Sequence, residues 1–211
     1  MRLLLISTVV IVALGLTACG SNEPSASPTT TGPTIVAFGD SVTAGYGLSR
    51  SESYPARLQE RLRADGVDYH VVNAGILGDT SAGGLKRIDR AMEGDVRFVV
   101  LALGANDIYY REPVSALKEN LAGIIERVKS RGAQVVLAGM KAPIDAVPEY
   151  RKAVQEAYRD LARQYEVPFI PSFLDRVEMV ESLNLRDGFH PNAKGTKIVA
   201  GTVYRVLRPL L

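Results

Sequence analysis

Runs of apolar residues of strand length alternate along this chain with segments whose apolar residues recur at helical spacing. The apolar runs fall at residues 35–38, 69–72, 98–103, 135–138 and 167–170. The third run, Phe98–Leu103, is apolar at every position, which is typical of a strand buried on both faces of a parallel sheet. Strands that alternate with helices predict a parallel sheet with right-handed crossovers and helices on both faces. We therefore expect a flavodoxin-like, three-layer α/β/α domain around a five-stranded parallel sheet.

The N-terminal residues predict an export signal that is removed from the mature protein. Arg2 precedes the apolar run Leu3–Leu16, which at about 1.5 Å per residue is shorter than the roughly 30 Å core of a bilayer. Residues 16–19, Leu-Thr-Ala-Cys, resemble a bacterial lipobox, in which Cys19 is lipidated and becomes the new N-terminus. The alternative is an ordinary signal peptide with a cysteine there by chance.

These signals divide the chain into three parts. We predict a signal peptide over residues 1–18, a flexible Ser-, Thr- and Pro-rich tether over 19–33, and one globular domain over 34–211. The expected location is the cell envelope, where the lipid would hold an exported protein on the periplasmic or extracytoplasmic face of a membrane.

Composition excludes several kinds of partner and chemistry. Charges of both signs are interspersed and the formal net charge is +2, which gives no basis for binding nucleic acid. A single cysteine rules out an intramolecular disulfide. Two histidines far apart and one cysteine are a poor ligand set for a metal hydrolase, so we expect no metal and no cofactor. We expect a monomer that binds a small ester or lipid substrate and, through Cys19, a membrane.

Glycine or polar residues follow four of the predicted strands. Ser41 follows the first strand, Gly75 the second and Asn106 the third, and the segment Asp187–Pro191 follows the fifth. The carboxyl ends of parallel strands meet at one edge of a sheet, and ligands bind beyond that edge. We therefore expect these residues to converge on one site, carried by the loops that leave the strands.

The residue types at this edge indicate nucleophilic catalysis. A serine hydroxyl such as that of Ser41 needs a neighbouring base, and the chain offers only His70 and His190. His70 begins the second strand and is expected at the opposite edge, whereas His190 follows Asp187 by three residues, close enough for the carboxylate to orient the imidazole. If Pro191 is the first residue of the last helix, the helix N-terminus would favour the neutral imidazole. Taken alone, Asp-x-x-His is more often a capped polar turn.

A tetrahedral intermediate also needs hydrogen-bond donors for its oxyanion. The backbone N–H groups of Ser41 and Gly75 and the side-chain amide of Asn106 are the candidates. Taken singly, Gly75 is equally well explained as a turn residue, and Asn106 as a loop residue that satisfies local backbone groups. Asp40 and Asp107 are interpreted as structural residues that bond the backbone near the site.

Together these segments resemble the SGNH hydrolases, also called GDSL esterases and lipases, over residues 35–210. The motifs that carry the resemblance are Gly39-Asp40-Ser41, Gly75, Gly104-Ala105-Asn106-Asp107 and Asp187-Gly188-Phe189-His190-Pro191-Asn192. The resemblance implies the sheet order 2-1-3-4-5, a Ser41–His190–Asp187 triad, and an oxyanion hole formed by Ser41, Gly75 and Asn106. Residues 140–143 and 167–171 look like the small bacterial arylesterase, thioesterase and lysophospholipase group.

Two departures from the family pattern fall beside the catalytic motifs. Phe189 replaces a more usual aliphatic residue, and Ile108, Tyr109 and Tyr110 follow Asn106-Asp107 where a small residue is common. We expect these four side chains to shape the acyl pocket; for Tyr109 and Tyr110 the equal alternative is that they only pack the loop.

The resemblance implies a serine esterase that acts on short- or medium-chain acyl or aryl esters, with thioesters and lysophospholipids as further substrates. The alternatives are a carbohydrate O-acetyl esterase of the same fold and a non-catalytic ligand-binding lipoprotein. A phosphate-binding loop is disfavoured by the acidic Asp40, and the Gly-x-Ser-x-Gly elbow of α/β-hydrolases is excluded by Thr43.

Overall fold

The computed structural model describes residues 32–211. The predicted signal peptide, Cys19 and all but the last two residues of the predicted tether therefore lie outside the described residues. Within residues 32–211, no helix combines the length and the apolar character that crossing a membrane requires.

The described residues form a five-stranded, wholly parallel sheet in the order β2-β1-β3-β4-β5, flanked by helices on both sides, which confirms the predicted fold. The strands are β1 (Thr34–Gly39), β2 (His70–Gly75), β3 (Val96–Ala102), β4 (Gln134–Ala138) and β5 (Phe169–Ile170). The two strands at the centre, β1 and β3, are almost continuously buried, whereas β2 at the edge is half-exposed. Gly39 is in register with Gly75 on one side and Ala102 on the other, so three strands end at the same level.

The helices form two groups, as expected for crossovers on both faces of a sheet. One group contains α2 and α7, which pack together, and the other contains α5, which packs against α3 and α6. The helices are α1 (Ser41–Ala44), α2 (Tyr54–Ala64), α3 (Ser81–Ala91), α4 (Ala105–Tyr109), α5 (Val114–Ser130), α6 (Pro148–Gln164) and α7 (Ala193–Leu207), with 3₁₀ turns at Arg50–Glu52, Glu181–Leu183 and Arg208–Leu210.

Each long helix buries the face that its sequence period predicts. In α5, for example, Leu117, Leu121 and Ile124 lie three or four residues apart, and all are at most 1% exposed. This spacing puts them on one stripe of the helix, which packs into the core.

Three details differ from the sequence predictions. Ser41 and Asn106 lie in the short helices α1 and α4 rather than in loops. Helices of four or five residues are too short to show a periodic pattern, so the sequence did not reveal them. Strand β2 continues to Gly75 instead of ending at residue 72. Helix α7 begins at Ala193 and not at Pro191, because the Asn192 side chain accepts hydrogen bonds from the first backbone N–H groups and so caps the helix.

Candidate active site

The serine sits where β1 meets the short helix α1. Asp40 is buried, and its Oδ1 accepts a hydrogen bond of 3.0 Å from the Val42 backbone N–H, which caps α1 and places Ser41 as its first residue. The chain turns so tightly that a Cβ at Gly39 would lie 2.1 Å from Thr43 Oγ1 and 2.6 Å from the Ala102 carbonyl oxygen. Only glycine fits at that position, which fixes the path of the backbone that leads to Ser41.

His190 and Asp187 complete a continuous hydrogen-bonded chain with Ser41. His190 Nε2 lies 2.9 Å from Ser41 Oγ, and His190 Nδ1 lies 2.8 Å from Asp187 Oδ2. An ionised carboxylate can only accept hydrogen bonds, so Nδ1 carries the proton and Nε2 is left to accept the serine proton. The geometry therefore suits Ser41 as nucleophile and His190 as base.

Asp187 is held in its ionised form by its own turn. Its Oδ1 accepts hydrogen bonds from the backbone N–H groups of Phe189 at 2.9 Å and His190 at 3.0 Å. Partial burial tends to raise the pKa of Asp187, but these two bonds and the His190 ring outweigh it and lower the pKa below its ordinary value. The Asp-x-x-His turn thus serves both as a local cap and as the support of the imidazole.

The segment that carries His190 is fixed on both sides. The Leu185 backbone N–H donates to the His190 carbonyl oxygen at 2.7 Å, and Pro191 pairs with Asn184 in an isolated bridge. The Tyr46 ring packs against the imidazole with centroids 4.5 Å apart. Since α7 begins only at Ala193, the predicted effect of its N-terminus on the imidazole is not supported. Asp187 and Tyr46 orient the ring instead.

His70 begins β2 opposite Thr34, at the amino edge of the sheet and away from Ser41, as the sequence predicted. Among the described residues there is no cluster of three or more histidine, cysteine or acidic side chains suited to hold a metal ion.

The three predicted oxyanion donors differ in whether an N–H group remains available to a ligand. Asn106 Nδ2 donates to the Asp79 carbonyl oxygen at 2.8 Å, and its second N–H remains available for a ligand. The Ser41 backbone N–H belongs to the first turn of α1, where helix N–H groups have no partner within the helix. The Gly75 N–H, by contrast, donates to Asn73 Oδ1 at 3.0 Å.

Gly75 does not present an available donor in this structure. Its N–H is engaged, and a Cβ there would lie 2.2 Å from the Ala44 backbone nitrogen, so Gly75 is a close-packing position between β2 and α1. Gly78 lies in the turn that follows, has a φ of +72°, and has no heavy atom within 4 Å of the position that a Cβ would take. Its N–H donates to no protein acceptor among residues 32–211. The positive φ of Gly78 could not be predicted from the sequence, although Leu-Gly-Asp is typical of a turn.

Asp107 is buried and links α4 to α3. Its carboxylate accepts a hydrogen bond of 2.8 Å from the Ser81 backbone N–H and another of 2.5 Å from the Ser81 hydroxyl. These bonds fix the position of Asn106, the preceding residue. The contacts of Asp40 and Asp107 thus match the structural interpretation of both carboxylates.

The four side chains predicted to shape the acyl pocket separate into two groups. Ile108 is 3% exposed and belongs to the hydrophobic core, so its side chain is not offered at the surface. Tyr109, Tyr110 and Phe189 are each more than 60% exposed, and the two tyrosine rings pack edge to face with centroids 5.2 Å apart.

These three residues belong to a larger apolar rim. Except for Val72 in β2, every exposed large apolar side chain of the described residues lies between the carboxyl end of a strand and the next long helix, on the edge where Ser41 lies. The members of this rim are Tyr46, Ile76, Leu77, Tyr109, Tyr110, Ile144, Val147, Met179, Val180 and Phe189.

Comparison with known proteins identifies similar sequences and folds. Residues 37–198 match the GDSL-like lipase/acylhydrolase family. The esterase TesA of Pseudomonas aeruginosa is 37% identical over 84% of this chain and 89% of its own length. The Escherichia coli K12 protein thioesterase 1/protease 1/lysophospholipase L1 is 31% identical over 84% of this chain and 85% of its own. A crystal structure of TesA superposes with a TM-score of 0.82 at 37% identity, and covers 84% of this chain and 99% of that one.

Proposed function

The chain is an ester-hydrolysing enzyme that belongs to the GDSL-like lipase/acylhydrolase family, and on that premise we propose that Ser41, His190 and Asp187 are its catalytic triad. The observation that carries the proposal is the pair of contacts made by one imidazole, 2.9 Å to the Ser41 hydroxyl and 2.8 Å to the Asp187 carboxylate. An activated serine needs a base within such a distance and a third group that orients the base.

The proposed reaction proceeds through an acyl-enzyme. His190 Nε2 takes the proton of Ser41 as Oγ attacks the ester carbonyl carbon, and Asp187 stabilises the imidazolium that forms. Collapse of the tetrahedral intermediate breaks the bond to the leaving group, which His190 protonates as an alcohol. Water then attacks the acyl-enzyme by the same route and releases the carboxylic acid.

We further propose that the oxyanion is bound by the Ser41 N–H, the Asn106 side chain and the Gly78 N–H. Gly78 takes the role that the sequence assigned to Gly75. The argument for Gly78 is its uncommitted N–H beside Asp79, the residue whose carbonyl oxygen holds Asn106. Each donor of this kind typically contributes about 10²–10³ to turnover.

The proposed substrates are esters or thioesters with an apolar acyl or aryl part, lysophospholipids included. The apolar rim supports this choice, because exposed apolar side chains gain free energy by covering hydrocarbon. The printed names of the relatives, which include esterase, thioesterase and lysophospholipase, support the same range.

A fluorophosphonate probe tests the triad, because it phosphonylates only an activated serine. We expect the wild-type chain to be labelled, Ser41→Ala not to be labelled, and His190→Ala to be labelled at least about 10²-fold more slowly. Ser130→Ala, at an exposed serine where α5 ends before the amino end of β4, is the matched control and should be labelled like the wild type. Labelling of Ser41→Ala would remove Ser41 as the nucleophile, and absence of labelling in the wild type would favour the non-catalytic lipoprotein.

A series of nitrophenyl esters from acetyl to dodecanoyl, assayed beside acetylated sugars, tests the substrate class. We expect kcat/KM to rise beyond the acetyl ester, because longer chains reach the apolar rim. A preference for acetylated sugars over every nitrophenyl ester would instead assign a carbohydrate O-acetyl esterase.

We also propose that the protein is exported and anchored through lipidated Cys19, which the sequence predicts. Mass spectrometry of the mature chain should find a diacylglyceryl-modified N-terminal cysteine, and Cys19→Ala should appear in the soluble fraction. An unmodified Cys19 in the mature wild-type chain would contradict the anchor.

A further inference from the structure

One arginine contacts the segments that lead to Ser41 and to Gly78, and through Asp79 it is linked to Asn106. Arg87 lies on α3, and its side chain is 19% exposed. Its Nε donates to Asp79 Oδ2 at 2.7 Å, Nη1 to the Ala74 carbonyl oxygen at 2.8 Å, and Nη2 to the Gly39 carbonyl oxygen at 2.9 Å. The guanidinium carbon also lies 3.9 Å from the centre of the Phe38 ring.

The three acceptors stand directly before or after the catalytic segments. Gly39 is the last residue of β1 and precedes the Asp40-Ser41 turn. Ala74 lies near the end of β2, just before the connection that leads to Gly78. Asp79 follows Gly78, and its carbonyl oxygen receives Asn106 Nδ2. A single planar guanidinium therefore joins the ends of two strands to the turn between β2 and α3.

We propose that Arg87 and Asp79 form a positioning pair for the oxyanion hole. The inference rests on the proposed function, since it presumes that Ser41, Gly78 and Asn106 bind the oxyanion. The donors come from three separate parts of the chain, and a displacement of about 1 Å in such a group can cost about a hundredfold in rate. The pair holds them at fixed separations before substrate arrives.

The pair also controls the charge beside the hole. Asp79 directly follows Gly78, so an unpaired carboxylate on this residue would oppose the negative charge that develops in the proposed hole. Arg87 neutralises it with a charge-assisted hydrogen bond in a largely buried setting. Lysine has one compact ammonium group and cannot reproduce three directed N–H bonds to three different acceptors.

A second arginine provides a matched control. Arg127 on α5 also donates to a carbonyl oxygen of α3, that of Leu85, at 2.9 Å and to the Asp89 carboxylate at 3.0 Å. Its side chain is 45% exposed, and its contacts lie on α3 rather than at the strand ends. Arg127→Lys thus removes bonds of the same kind without touching the proposed hole.

The decisive experiment compares Arg87→Lys, Asp79→Asn and Arg127→Lys in the full chain. A nitrophenyl ester gives kcat and KM, and a trifluoromethyl ketone, which forms an oxyanion when Ser41 adds to it, gives an inhibition constant. For Arg87→Lys and Asp79→Asn we expect kcat to fall about tenfold to a hundredfold and the ketone to bind weaker by a similar factor, with KM within about threefold of wild type. Arg127→Lys should match the wild type in all three.

Several outcomes would overturn the inference. One is an unchanged kcat in Arg87→Lys or Asp79→Asn, and another is a raised KM with unchanged kcat, since positioning of the hole acts on the transition state. If Arg87→Lys does not fold, the nearly isosteric Asp79→Asn decides the question alone. Fluorophosphonate labelling distinguishes failure of the proposed function from failure of the positioning pair. If the wild type is not labelled, the proposed function is refuted. If the wild type is labelled and the variants are fully active, only the positioning pair is refuted.

Discussion

The buried carboxyl group of Asp40 makes the stability of this protein depend on pH. The substitution Asp40→Asn should remove that contribution. The carboxyl group is 1% exposed, one of its oxygens caps α1, and the other has no hydrogen-bond partner in the described structure. Burial raises the pKa of Asp40 from 3.8 to about 6, against the opposing effects of the Val42 N–H and of His190. Folding therefore favours the protonated acid.

The magnitude follows from the size of this shift. A rise of about two pKa units corresponds to about 3 kcal/mol, at roughly 1.4 kcal/mol per unit. Because the pKa is higher in the folded chain than in the unfolded chain, the folded chain holds more protons between about pH 4 and pH 6. This contribution to the free energy of unfolding is fully present below about pH 4 and is lost as the pH rises through about 6.

The Asp40→Asn substitution keeps an oxygen for the cap and removes the titration. Urea unfolding of both proteins at pH 4, 5, 6 and 7 gives the difference in unfolding free energy at each pH, and the titrating groups that do not interact with Asp40 cancel in it. Since an unfolded carboxyl with a pKa of 3.8 is still mostly ionised at pH 4, we expect the variant to gain about 2.4 kcal/mol of the full value of about 3 kcal/mol relative to the wild type between the lowest and highest pH. A difference that stays constant within 1 kcal/mol, or a change of the opposite sign, would refute the raised pKa.

Three further predictions follow from close contacts. Gly75→Ala should lower the unfolding free energy by several kcal/mol, since its Cβ would meet the Ala44 nitrogen at 2.2 Å; an unchanged melting temperature would contradict this packing. Tyr46→Ala removes the ring whose centroid lies 4.5 Å from that of the imidazole, and should lower kcat several-fold with little change in melting temperature. A variant with wild-type turnover would show that Asp187 alone orients His190. Leu121→Ala, at a fully buried position of α5, should lower the free energy of chemical unfolding by about 2–5 kcal/mol and leave KM unchanged. A decrease of less than about 1 kcal/mol would argue against the packing around α5.

The sequence was sufficient to predict the parts of the fold that depend on regular patterns. The unbroken apolar run of β3 and the period of α5 indicated a parallel sheet covered by helices, and the carboxyl edge then followed for Ser41 and His190. Asp187 was predictable because it reaches His190 within one turn of the chain. The order of the strands came from the family resemblance rather than from any pattern.

The remaining errors have local physical causes. The predicted end of strand β2 was too early because Asn73 is polar, yet an edge strand tolerates a polar residue on its exposed side. The sequence prediction for the second oxyanion donor was Gly75, at the end of this strand, whereas the donor that we propose, Gly78, lies in the turn that follows. Ile108 was expected at the pocket, but it lies one residue past Asp107 on α4 and points into the core. The contacts of Arg87 join residues as many as 48 positions apart, and no local pattern can reveal such a connection.

The hydrogen bond between Ser41 and His190 has a consequence for the timing of activity. It joins residues 149 positions apart, so the proposed nucleophile is synthesised well before its proposed base. Under the proposed mechanism, a nascent or truncated chain that lacks residues 184–211 keeps Ser41 but has no base beside it, and we expect it to be inert toward esters. Reaction of Ser41 with a serine-directed probe would then report that the tertiary contact between Ser41 and His190 has formed.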